Sequence, residues 1–157
     1  MENNSALHIK TVITGVIAAL TAFWGWFGWL VIAWIACMAI DYATGSCAAL
    51  RAGKWSSQAA RDGIWHKLGA VVAVIVAGIL DMVISMILEH MPGISLPFTY
   101  EVFFCPLVIV WYILTETGSI IENAGALGAD IPPWLTKAIE SLREKVDDGA
   151  GAQEDTK

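Results

Sequence analysis

The stretch Thr11–Leu50, TVITGVIAALTAFWGWFGWLVIAWIACMAIDYATGSCAAL, holds one ionisable side chain apart from cysteine and tyrosine, Asp41. A helix crosses a hydrocarbon core about 30 Å thick with about 20 apolar residues. A single helix over the whole stretch would be a rod of about 60 Å, at about 1.5 Å per residue. Two crossings fit better than one. The break belongs in Phe23-Trp24-Gly25-Trp26-Phe27-Gly28-Trp29, where glycines interrupt aromatics of the kind that settle at headgroup level. The alternative is one long tilted helix with Gly25 and Gly28 in its middle.

Outward from this stretch, Leu68–Leu88 and roughly Val102–Ile121 are each about long enough to cross once more. The chain reads as an all-α integral membrane protein with four, alternatively three, transmembrane helices. The crossings fall at residues 11–26, 30–50, 68–88 and 102–121, within a transmembrane domain of residues 1–129. Next come Asp130-Ile131-Pro132-Pro133-Trp134, a stop followed by proline at the start of a new helix. Leu135, Ile139, Leu142 and Val146 then recur at helical spacing. They predict a short cytoplasmic amphipathic helix over 130–146, free to lie on the inner membrane face or to pair with a copy of itself. The acidic tail 147–157 has no apolar period and is expected to be disordered.

Composition agrees with a bilayer. Of 157 residues, 57% are hydrophobic and 15% charged, against about 25% charged in soluble domains. The mean hydropathy is +0.62. No small-residue cleavage pattern followed by a soluble chain marks the apolar start as a secretory signal. The net charge of −6 gathers in the tail, which argues against a grip on nucleic acid or anionic lipid there. Basic residues gather between the second and third crossings. Arg51, Lys54, Arg61 and Lys67 stand there against Asp62, whereas Glu89–Glu101 holds no Lys or Arg. Positive loops stay inside, so this basic loop and the C-terminus are expected to be cytoplasmic; four crossings put the N-terminus there too.

Catalysis finds little support. His8, His66 and His90 lack metal spacing, and no Ser or Cys sits in a nucleophile motif. Cys37, Cys47 and Cys105 have neither CxxC nor Cys/His spacing and read as small packing residues. Phosphate-binding loops are absent. The expectation is a non-enzyme without cofactor or metal. Six tryptophans lie near segment ends and read as interfacial anchors; Trp34 and Trp111 read as packing residues.

Ridges of small residues carry the acids. The second crossing places Ala33, Cys37, Asp41, Gly45 and Ala49 at four-residue steps, and the third repeats this with Gly69, Ala73, Ala77, Asp81 and Ser85. The last aligns Tyr112, Glu116, Ser119 and Asn123. Small residues let helices approach closely in lipid, and an intramembrane carboxylate avoids lipid. Three roles compete for these acids: hydrogen-bonded glue within one molecule, an oligomer interface or aqueous lumen, and an ion or proton site. Asp41, Gly45, Ala73, Ala77, Asp81, Glu116, Ser119 and Asn123 are the oligomerisation or lumen candidates. No basic partner lies inside any crossing, which disfavours a transporter with paired charges.

Asp41-Tyr42-Ala43-Thr44-Gly45 ends one apolar helix, and Gly53-Lys54, Ser56-Ser57, Gly63 and Lys67 precede the next. Glu116-Thr117-Gly118-Ser119-Ile120-Ile121-Glu122-Asn123 is followed by Gly128, Ile131-Pro132 and Leu135. In this order, over roughly Ile32–Leu142, the chain resembles the phage lysis and toxin-secretion holin family. The resemblance implies a phage- or prophage-encoded protein that assembles with itself in the bacterial cytoplasmic membrane. There it opens lesions through which an endolysin, or a toxin, passes, without direct contact with that cargo being required. The same likeness singles out Asp41, Gly45, Lys67, Asp81, Glu116, Ser119, Glu122 and Asn123, without assigning their roles. A small membrane channel or transporter, and a scaffold whose C-terminal helix recruits a cytoplasmic partner, are the alternatives.

Overall fold

The computed structural model describes residues 27–91 and 102–151, together with Leu7, Lys10, Thr11, Thr14 and Gly15. The described elements are four helices: α1 (Phe27–Arg51), α2 (Ser57–His90), α3 (Phe104–Ala126) and α4 (Pro133–Gly151). The chain is an all-α membrane protein. Three of the four helices, α1, α2 and α3, are long and apolar enough to cross a bilayer. The expected first crossing at 11–26 falls almost wholly outside the described residues, as do the outer connection Pro92–Pro97 and the last six residues.

Each boundary has a local cause. α1 ends in a Schellman motif: Gly53 N–H donates to Leu50 O at 3.1 Å and Lys54 N–H to Ala49 O at 3.0 Å. Gly53 sits at φ +66°, a conformation that disfavours any residue with a Cβ. α3 ends the same way, with Gly128 N–H on Gly125 O at 2.9 Å, Ala129 N–H on Ala124 O at 3.0 Å, and Gly128 at φ +93°. Ser56 starts α2, its hydroxyl accepting from Ala59 N–H at 3.1 Å. Pro133 opens α4 at the position where a missing N–H costs nothing.

α2 departs from the sequence expectation at its start. It begins at Ser57, eleven residues before the apolar run, so Arg61 and Lys67 are helical and the basic loop proper is only Ala52–Ser56. Hydropathy marks where a helix enters lipid, whereas the Ser56 cap marks where it starts. At 34 residues α2 is about 51 Å long, against about 30 Å of hydrocarbon. Its first turns therefore extend beyond the core.

α3 is the central helix. It packs along α1 for most of its length, against α2 over less, and against α4 on another side, while α1 meets α2 over a short stretch only. The shared core is a thin layer of Phe27, Val31, Trp34, Ala70, Ala77, Cys105 and Ile109. Trp34 lies 5.9 Å, ring to ring, from Tyr112. Only 11% of the apolar window of α1 and of α2 is buried, and 17% of that of α3. Most spanning side chains therefore point outward, as Ile35, Ile40, Val72, Ile75, Val76, Ile79 and Met82 do, and lipid or another chain is their natural solvent.

α4 is placed differently from the expectation. It folds back along α3 instead of standing apart. A Cβ on Gly125 would lie 4.0 Å from Ile131, a Cβ on Gly118 would lie 4.0 Å from Ile139, and Trp111 Nε1 donates to Asp147 Oδ1 at 2.6 Å. These contacts descend α3 by sevens while climbing from Ile131, just before α4, through Ile139 to Asp147 by eights, so the two helices are antiparallel. The helix also continues through Asp147, where disorder was expected, to Gly151. The Trp111 bond gives that last turn a partner that no apolar period announces.

Candidate functional site

Asp41, Lys67 and Glu116 sit on three different helices, yet each lies about ten residues, or about 15 Å, from the same end of the bundle. That shared depth brings them together. Lys67 Nζ donates to Asp41 Oδ2 at 2.9 Å and also to Glu116 Oε2. The three side chains are 19%, 19% and 11% exposed. The other Asp41 oxygen accepts from Asn123 Nδ2 at 3.0 Å, and the same amide reaches Thr44 Oγ1 at 3.3 Å. One ammonium thus bridges two carboxylates, and one amide ties α1 to α3.

Gly45 is part of this arrangement through what it lacks. A Cβ there would lie 3.3 Å from Asn123 Nδ2, closer than a methyl normally sits. The small residue on the α1 ridge lets the Asn123 amide lie against the helix and reach Asp41. The trio borders an open cavity of about 770 Å³ between α1, α2 and α3, which Ser119, Glu122 and His66 also line. Two acids and one base leave a formal charge of −1, and the cavity gives that charge access to water.

The pairing of Lys67 corrects the expectation that no basic partner meets the acids inside the crossings. Lys67 directly precedes the apolar run Leu68–Leu88, so a hydropathy boundary excludes it. Its four-carbon stem nevertheless carries the ammonium sideways to acids on neighbouring helices. The readable signal was two acids in apolar helices with a single lysine at the border of a third.

Asp81 lies apart from this group. It is 4% exposed and accepts from three successive backbone N–H groups at the start of α3: Phe103 and Phe104 on Oδ1 at 3.1 and 2.9 Å, and Cys105 on Oδ2 at 2.7 Å. Residue 106 is proline, which has no N–H. The N–H groups that a helix start leaves unpaired are therefore accounted for by one carboxylate on another helix. Arg51 does the converse at the other end, its guanidinium donating to Leu127 O and resting 3.3 Å from where a Gly128 Cβ would stand. An acid at the positive end of α3 and a base at its negative end both complement its dipole.

The remaining candidates divide. Ala77 is buried in the core and Ala73 half-buried beside it. Ser119 lines the cavity. Lys54 and Arg61 are exposed, the first in the connection and the second on α2. Asp41, Gly45, Glu116, Ser119 and Asn123 thus share one site, whereas Ala77 and Asp81 are engaged within the molecule about 15 and 21 Å away from Lys67 along α2. No group of three His, Cys, Asp or Glu side chains suited to a metal occurs among the described residues.

The bacteriophage holin family model matches residues 12–144, which include α1, α2, α3 and more than half of α4. The chain belongs to the bacteriophage holin family. Members of this family are membrane proteins without enzymatic activity. An uncharacterized protein of Halalkalibacterium halodurans, BH0965, is 33% identical over 129 residues, covering 82% of this chain and 89% of its own. An uncharacterized protein of Clostridium perfringens strain 13, CPE0383, is 29% identical over 106 residues, 68% of this chain and 69% of its own. An uncharacterized 14.9 kDa protein in the nagH 3' region of Clostridium perfringens is 29% identical over 106 residues, with 68% and 70% covered. No solved structure matches.

Proposed function

We propose that this holin-family chain assembles with copies of itself in the cytoplasmic membrane of a bacterial host. There it opens lesions through which endolysin, or a secreted toxin, reaches the cell wall. The observation that carries this reading is the thinness of the molecule's own core. Three spanning helices bury about a tenth to a sixth of their apolar windows, so most of the apolar surface is left for lipid or for neighbours. Small-residue packing and polar side chains drive helix association where lipid is as apolar as leucine. The cavity beside Lys67 supplies a wetted, charged edge that an assembly can share.

Orientation follows from Arg51, Lys54, Arg61 and Lys67. Positive residues beside spans remain on the cytoplasmic side. The Lys67 end of the bundle is therefore inside and the Asp81 end outside, and α4 enters from the cytoplasm. The test is controlled expression in a bacterial host with and without a cytoplasmic endolysin. Abrupt lysis that requires the endolysin supports the reading; growth arrest without lysis in both cases removes it.

One observation favours a second reading. Lys67 between two acids is the paired-charge arrangement of an ion pathway, so a small channel is the alternative. It would pass ions selectively while remaining closed to dyes. The recruiting scaffold loses support, because Leu135, Ile139 and Val146 of α4 are turned toward α3.

A further inference from the structure

α1 and α2 both lie on α3 but meet each other over a short stretch only, so a groove opens between them in the half of the bundle that holds Asp81. Its volume is about 770 Å³. Phe27 and Trp34 of α1 form one wall, Ile75 and Ile79 of α2 the other, and Cys105 and Ile109 of α3 the floor. The α2 wall is left exposed. A groove of this kind between spanning helices fits an apolar helix laid along it, because van der Waals packing joins helices in lipid.

The chain supplies such a segment at the right place. Residues 11–26 carry no charge and join α1 at Phe27, which is itself in the wall of the groove. As a helix these sixteen residues would run about 24 Å, against about 21 Å from Phe27 to Asp41. A return at the Gly25 break therefore brings Lys10 to about the depth of Lys67, and positive residues belong together on one side of a membrane. The described residues here also show which side is uncovered. Thr11 Oγ1 donates to Leu7 O at 2.9 Å, the four-residue step of a helix. Leu7, Thr11, Thr14 and Gly15 are exposed, and a Cβ on Gly15 would meet nothing within 4 Å. These four share one side at helical spacing. The same spacing puts Val12, Val16, Leu20 and Phe23 on the other, as a ridge of large apolar side chains.

We infer that residues 11–26 form a further spanning helix seated in the groove between α1 and α2 of the same molecule, with the ridge from Val12 to Phe23 turned toward Ile75 and Ile109. The occupant is the chain's own N-terminal segment, neither a lipid tail nor a second copy. This placement stands whether or not the assembly opens lesions.

The experiment uses the full chain in bacterial membranes, in a background where Cys37, Cys47 and Cys105 are alanine. Counting back from Phe27 sets Leu20 level with Ile75 to within about one turn. Leu20→Cys with Ile75→Cys should therefore form a disulfide within one chain under mild oxidation. It should form severalfold more of it than Leu20→Cys with Val76→Cys, whose α2 position does not line the groove. A bond that favours position 76 overturns the inference. So does a bond that forms between copies when the two single-cysteine chains are mixed, since a second copy then fills the groove. No bond at either position also overturns it, and leaves the groove to lipid. Two single changes at polar positions guard against a double variant that does not insert. Ser5→Cys and Lys54→Cys, each alone, should react with a membrane-impermeant maleimide from the same face of sealed membrane vesicles. Reaction from opposite faces means that residues 11–26 do not cross, and overturns the inference whichever way the bundle is oriented.

Discussion

Asn123 on α3 donates through Nδ2 to Asp41 Oδ1 on α1 at 3.0 Å, in the space left by Gly45, where a Cβ would stand 3.3 Å from the same nitrogen. The glycine and the hydrogen bond are one feature. Gly45→Ala should therefore destabilise the α1–α3 pair by about 1–2 kcal/mol through overpacking. In an Asn123→Ala background, where the crowded atom is gone, the same change should cost little. Unfolding in mixed micelles of the four proteins in this cycle measures the coupling. Purely additive effects would show that Gly45 does not act through Asn123.

Lys67 bridges two carboxylates at once, so its removal leaves both without a counter-charge. Lys67→Met should cost roughly 1–3 kcal/mol, below the penalty of a fully buried pair because the group keeps some access to water. Adding Asp41→Asn and Glu116→Gln to that variant should return most of the loss, since the repelling carboxylates are then gone. The same unfolding measurement decides. If the triple variant is weaker than the single one, the trio is held by geometry other than charge.

Asp81→Leu should still insert, because the change makes α2 more apolar. It should fray the start of α3. Three N–H groups lose their acceptor, at about 1–3 kcal/mol for each buried donor left unpaired, a sum reduced wherever water reaches the site. Asp81→Asn keeps one acceptor oxygen and should fall between. Amide exchange at Phe103, Phe104 and Cys105 reports this directly. Unchanged protection at all three in the leucine variant would remove Asp81 from its role as the cap of α3.

Gly53→Ala and Gly128→Ala place a Cβ on backbone at φ +66° and +93°. Each should cost about 1 kcal/mol from backbone strain. Gly128→Ala should cost more, because it also displaces the Arg51 guanidinium from the end of α3. Adding Arg51→Ala should remove that excess. Equal losses at the two glycines would mean that the Arg51 contact contributes nothing measurable.

Much of the architecture was legible because hydropathy reports lipid. The apolar runs read at 30–50 and 68–88 lie within α1 and α2, the run at 102–121 lies within α3 from Phe104 on, and Pro133 opens the last helix. The acid-bearing ridges pointed to Asp41, Glu116 and Asn123, which do meet. What stayed hidden has identifiable causes. Lys67 lies one residue beyond the apolar run, so its reach across to other helices left no mark in a sliding reading of the chain. The partners of Asp81 are backbone amides, which every residue but proline possesses and which no spacing singles out. α4 was read correctly as amphipathic, but a stripe of Leu135, Ile139, Leu142 and Val146 says nothing about which apolar surface receives it. Its dock on α3 lies over Gly118, and the connection leading into it over Gly125, small residues whose part appears only when the helices are laid together.

The central claim is that these helices, bound to one another by a few polar contacts and otherwise apolar on the outside, gather copies of themselves around water. The most direct measurement is release of a large fluorescent dextran from vesicles as the number of chains per vesicle is raised. The account predicts tight vesicles at low loading and a steep, cooperative onset of release above a threshold density. Release that grows in simple proportion to loading from single chains upward, or dextran retained at every loading while ions pass, would contradict it.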